Sequence, residues 1–137
     1  MARVRELTGG QGADLILDQF VGPHFDRNYD MLATFGQILV YNLTGGMPEK
    51  SVMETMTKHI AKCPALRLFS LHAYDDRPHK RLEMLSHVLD LLASGTVASH
   101  VSQRLPLSQA RTAHELLDAG AVLGKILLKP PGQPIGS

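Results

Sequence analysis

Cysteine is nearly absent from this chain: Cys63 stands alone among 137 residues, which excludes an intramolecular disulfide and fits a reducing compartment. An excess of charge of either sign is absent too. Fourteen basic residues (14) face thirteen acidic ones (13), a formal +1, so there is no electrostatic footprint for nucleic acid or for an acidic membrane. No apolar run approaches the roughly 18 residues of a membrane span. The first seven residues, Met-Ala-Arg-Val-Arg-Glu-Leu, lack the apolar segment of a signal peptide. There is no convincing internal repeat; Leu-Thr-Gly-Gly occurs at residues 7–10 and again at 43–46, in different contexts. A cytoplasmic protein is expected. With 44% hydrophobic residues the chain can build one compact domain with a real core, and hardly two.

What is present is best read from one strand and the loop after it. Ile38 to Tyr41 is apolar throughout and rich in β-formers, without alternation. That pattern predicts a strand covered on both faces, as in parallel sheets flanked by helices. The Gly-rich stretch 42–46 follows, at the carboxyl end, where open α/β sheets form their ligand crevices. Before it, a first strand is expected over 13–18 and a helix over about 24–34, with Phe25, Tyr29, Leu32 and Ala33 on one face and Gly36 as a left-handed stop. After it, Ser51 and Glu54 make a capping-box pattern for a short helix with Val52, Met56 and Ile60 on one side. A third strand is expected over 66–72.

The later chain reads differently. Asp75-Asp76-Arg77-Pro78 suits the start of a long helix to about Ser94, with Leu82, Leu85, Leu89 and Leu92 in one stripe and Gly95 as its stop. A half-exposed strand over 97–105 alternates Val97, Val101 and Leu105 with His100, Ser102 and Arg104. A helix capped by Ser108 carries Ala110, Ala113 and Leu117 and stops at Gly120. A last strand covers 124–128, and a Pro/Gly tail from Pro130 is expected to be disordered. The order strand, helix, strand, helix, strand, helix predicts an α/β fold with a parallel sheet, which the chain leaves after the long helix.

The words along the chain resemble a known family. Leu7-Thr8-Gly9-Gly10-Gln11-Gly12-Ala13-Asp14, Leu15-Ile16-Leu17-Asp18, Leu32-Ala33-Thr34-Phe35-Gly36, Leu105-Pro106-Leu107-Ser108-Gln109-Ala110, Ala113-His114 and Gly124-Lys125-Ile126-Leu127-Leu128 occur in this order over about residues 3–129. Together they are similar to the C-terminal part of a medium-chain dehydrogenase/reductase of the quinone oxidoreductase branch. One departure is visible: the family usually has paired glycines after the Leu-Asp strand, and Val21-Gly22 stands here.

The resemblance implies the second half of a Rossmann-type sheet over residues 1–95, then a helix and strands of the family's catalytic domain over 96–129. The family's Gly-rich phosphate loop, which holds a pyrophosphate on backbone amides, has no counterpart in these residues. An NAD(P)H-dependent oxidoreductase is therefore implied, with NADP or NAD as cofactor and a quinone or an enal or enone as hydride acceptor. This stretch by itself is not expected to show that activity. The alternative is a non-catalytic dimerisation or assembly module built from half a Rossmann fold.

The resemblance also implies cofactor contacts. Phe20, Val21 and Gly22 would lie near the adenosine; Tyr41, Asn42 and Leu43 would border the nicotinamide and its ribose. Phe69, Ser70 and Leu71 would approach the ring, and Lys125 would stand near the pyrophosphate. Each has a plain structural reading as a strand-end residue, and Lys125 as a solvated edge lysine. No catalytic residue is assignable. His59 and Cys63, four apart on a helix, have metal-ligand spacing; without third and fourth ligands they read as a chance pair, and no metal is expected. His114 reads as packing or capping, and His72 with Asp75 and Asp76 as a polar helix start. The family pairs the edge strand from Leu66 to Leu71 with its two-fold mate, and long apolar edges invite strand addition. A homodimer is expected through that edge or through the one at Leu15, Ile16 and Leu17.

Overall fold

The structure, a computed structural model, describes residues 2–132. It forms two compact units, Met1–Asp76 and Arg77–Ser137, the division falling ahead of the long helix. Among the described residues no helix is long and apolar enough to cross a membrane.

In the first unit, helix α1 (Ala2–Leu7) leads to strand β1 (Ala13–Asp18), helix α2 (Arg27–Met31), strand β2 (Leu32–Val40), helix α3 (Val52–Lys58) and strand β3 (Ala65–Leu68). The strands make one parallel sheet in the order β1-β2-β3, as the alternating order of elements predicts. Phe25 in the turn before α2 and the helix residues Tyr29, Val52 and Met56 pack with Val21, Ile38 and Val40 in a single core cluster. Only one face of β2 is covered in this way. Ile38 and Val40 are buried, whereas Gln37 and Leu39 are half-buried, which corrects the expectation of a strand enclosed on both sides.

The helix expected over 24–34 is cut to five residues. Its apolar face is as predicted: Phe25, Tyr29, Leu32 and Ala33 are all buried. The early stop has a tertiary cause. The Lys62 ammonium donates to the carbonyls of Tyr29, Asp30 and Leu32 at 2.9, 3.1 and 2.8 Å. It thereby supplies the donors that a further helical turn would have provided. The left-handed residue is then Phe35 at φ 62°, not Gly36. Gly36 is required for close approach instead, since a Cβ there would meet the Leu32 side chain at 2.6 Å and the Ala13 carbonyl at 2.9 Å.

The Ser51 cap forms, its hydroxyl accepting from the Glu54 amide at 3.3 Å. Val52 and Met56 reach the core, but Ile60 is 70% exposed. The chain tightens to 3-10 winding over Ile60–Lys62, and the change from 3.6 to three residues per turn rotates Ile60 off the buried face. Strand β3 is four residues rather than seven; the chain then peels into a 3-10 turn, Leu71–Tyr74, started by Ser70, whose hydroxyl accepts from the His72 amide.

The second unit holds helix α4 (Pro78–Ala93), strand β4 (Val101–Pro106), helix α5 (Ala110–Asp118) and strand β5 (Lys125–Lys129). Strands β4 and β5 pair parallel in a sheet of their own. The alternation in β4 is present, with Val101, Gln103 and Leu105 half-buried against exposed Ser102 and Arg104. Ser108 lies in a 3-10 turn, Leu107–Gln109, and α5 starts at Ala110 without a side-chain cap, which corrects the expected Ser108 cap. The leucine stripe of α4 forms as predicted, yet Leu82, Leu85, Leu89 and Leu92 are 40% to 65% exposed. The expected disordered tail from Pro130 is described to Gly132, where the chain turns; residues 133–137 lie outside the described residues.

Candidate functional site

The site is built where β1 and β2 end. Asp18 closes β1, and its carboxylate gathers three donors. One oxygen accepts from the Phe20 and Val21 amides at 2.7 and 2.9 Å, the other from the Asn28 carboxamide at 2.6 Å. The loop it holds is strained. Val21 and Gly22 are consecutively left-handed, at φ 61° and 67°. A β-branched residue rarely adopts that conformation, whose cost is roughly 1–2 kcal/mol. Val21 stands where the resembling family has glycine, and it takes the backbone conformation a glycine would.

The loop after β2 is fastened to the first. The Thr44 amide and hydroxyl both donate to the Gln19 carbonyl, at 3.2 and 3.0 Å. The Gly45 amide donates to the Phe20 carbonyl at 2.7 Å, and the Gly22 amide to the Gly46 carbonyl at 3.1 Å. The Phe20 ring lies over Gly45, where a Cβ would come within 2.5 Å of it. At the outer end Lys50 pairs with Asp26, and that hydrogen bond holds the Asp26 carboxyl below its ordinary range. Two loops thus form one continuous lip.

Beyond the carboxyl ends of the strands lies a cleft of about 800 Å³. Val21, Tyr41, Asn42, Leu43, Phe69 and Ser70 line it, all expected site residues, together with apolar side chains such as Leu66, Leu68 and Met47. Its polar side chains are Tyr41, Asn42 and Ser70, and no lysine or arginine lines it. Phe20 and Val21 line a second hollow of about 390 Å³, with Asp18 and Asn28. Gly22 lies in the lip, and Leu71 is exposed in the turn after β3; neither lines the larger cleft. Lys125 belongs to the second unit, exposed at the start of β5, its amide donating to the His100 carbonyl at 2.9 Å.

Asp18 and Asn28 escaped the sequence reading as site residues. The one available signal was an aspartate ending an apolar strand. Two of the histidines have partners of their own. The His59 ring nitrogens face the Thr55 carbonyl at 2.9 Å and the Asp30 carboxylate at 3.1 Å, and His72 faces Asp75 at 2.9 Å in an exposed pair. Among the described residues no group of three or more His, Cys, Asp or Glu side chains is placed to hold a metal ion.

A parallel sheet with helical crossovers and a ligand-sized cleft at the carboxyl ends of its strands defines part of a Rossmann-like α/β protein. The particular family is shown by sequence. Residues 1–128 match the model of the zinc-binding dehydrogenases, and the chain belongs to that family. Its relatives include the quinone oxidoreductase of Salmonella typhimurium, 29% identical over 130 residues, covering 93% of this chain and 39% of that protein. A highly reducing polyketide synthase of Cordyceps militaris is 29% identical over 128 residues, covering 93% of this chain and 5% of that protein. The solved quinone oxidoreductase of Escherichia coli, complexed with NADPH, superposes with a TM-score of 0.72 at 26% identity, over 94% of this chain and 40% of that one. The chain therefore spans well under half the length of each of these relatives.

Proposed function

We propose that this chain forms the nicotinamide-side wall of the cofactor cleft in an NAD(P)H-dependent oxidoreductase. The activity would be hydride transfer to a quinone or to an activated carbon–carbon double bond. The observation that carries this reading is the 800 Å³ cleft at the strand ends. Its largely apolar lining, with Tyr41, Asn42 and Ser70 as the polar side chains and no lysine or arginine, fits a nicotinamide ring and ribose rather than phosphates. When bound, the reduced nicotinamide supplies the hydride. Tyr41, Asn42, Leu43, Phe69 and Ser70 would hold its ring and ribose and exclude water. Phe20, Val21 and Gly22 would border the adenosine. The NADPH complex of the E. coli relative supports this assignment, and a cytoplasmic location belongs to the same proposal.

Titrating the isotope-labelled chain with NADPH and NADH, observed by amide NMR, tests it. Shifts centred on Phe20, Val21, Gly22, Tyr41, Asn42, Leu43, Phe69 and Ser70 are expected. An unchanged spectrum at millimolar cofactor would sink the reading.

A second reading, an assembly module, is favoured by the sheet edges. Leu15 and Leu17 on β1 are 54% and 61% exposed, and Leu68 on β3 is 72% exposed. These are the two outer strands of the sheet, and a homodimer joined through one of them is compatible with either function.

A further inference from the structure

We propose that Asp18 and Asn28 form a positioning pair for the cofactor cleft, the carboxylate holding the loop after β1 in its strained form and the carboxamide holding the carboxylate. This rests on the reading of the cleft as a reduced nicotinamide site. Neither residue lines the larger cleft; both act through Val21, which lines both hollows. A valine at φ 61° leaves the left-handed region unless its surroundings over-determine it. Here the Val21 amide is held by Asp18, and the Asp18 carboxylate is held by Asn28 on α2. Relaxation of Val21 would swing its side chain out of the cleft wall. It would also pull on the Gly22–Gly46 and Phe20–Gly45 bonds that carry the second loop. Asn42 and Leu43, just before Thr44, would move with it. The pair therefore governs both loops from behind.

The chemistry of the pair allows a swap. Asn28→Asp sets two carboxylates against each other where a hydrogen bond stood, and Asp18 is pushed off its amides. Adding Asp18→Asn to that variant restores the geometry with donor and acceptor exchanged. The new carboxamide oxygen accepts from the Phe20 and Val21 amides, and its NH₂ donates to the new carboxylate.

The test uses the full labelled chain, reading the amide-to-α-proton coupling of Val21, which reports φ directly, and the affinity for NADPH. Asn28→Asp should shift that coupling away from the left-handed value and weaken NADPH about tenfold, the scale of one hydrogen bond to a charged group. The double variant should restore both. Unchanged amides in α3 and β3 would report an intact fold; were Asn28→Asp unfolded, Asn28→Ala, which removes only the outer bond, decides in the same way. A wild-type coupling in the single variants, or no rescue in the double variant, would overturn the pair. If the wild-type chain binds no NADPH, the cleft reading fails, while the Val21 coupling still judges the pair by itself.

Discussion

Tyr29 has the most conspicuous single-residue imbalance in the core. It is fully buried, packs edge-on to Phe25 at 5.8 Å between ring centroids, and its hydroxyl has no hydrogen-bond partner among the described residues. An orphan hydroxyl in an apolar cluster forfeits its water without compensation. Tyr29→Phe keeps the ring and removes the hydroxyl, and should raise stability by about 1 kcal/mol in urea unfolding. Burial also pushes the phenol's pKa up from its ordinary 10.0. The unfolded chain then ionises first. The Tyr29 contribution is complete below about pH 10 and drains as pH rises through the folded value. Wild type should lose stability over that range more steeply than Tyr29→Phe. Equal slopes would show that the ring is not held away from water.

At the level of elements, Lys62 carries more than its sequence position suggests. Its three carbonyl contacts terminate α2 and free Leu32 for the sheet. Lys62→Met would leave those carbonyls without the ammonium and cost about 2 kcal/mol, measured by denaturant unfolding. A cost near zero would mean that water replaces the lysine. The same contact explains what could be read in advance. Helical periodicity correctly marked Phe25, Tyr29, Leu32 and Ala33 as the buried face, because burial follows local spacing. The helix end was illegible, because its cap arrives from 33 residues downstream of Tyr29. The candidate site divides along the same line. An apolar strand followed by glycines announced the cleft, and the family resemblance implied six of its lining residues. The interlock of the two loops runs mainly through backbone amides and carbonyls, which every sequence possesses, and so left no signal beyond Thr44 and the glycines.

For the whole molecule the unsettled surfaces are the sheet edges and the α4 stripe. Within the second unit Ala113 is the one fully buried hydrophobic residue among those described, so that unit cannot owe its stability to an enclosed core of its own. Apolar strand edges of this kind pair readily with further strands. A dimer through β3 should appear as twice the monomer mass in light scattering and be abolished by Leu68→Lys, which sets a charge on that edge. A monomer at high concentration would remove the assembly reading, and a dimer indifferent to Leu68→Lys would point to β1. The interlocked lip has a consequence for descent. Because Gln19, Phe20 and Gly22 each meet a partner in the stretch from Thr44 to Gly46, a residue inserted into either loop would misalign several bonds at once. Among related sequences, gains and losses of length in these two loops should therefore occur as matched pairs, so that an insertion in one strand-end loop forecasts an insertion in the other.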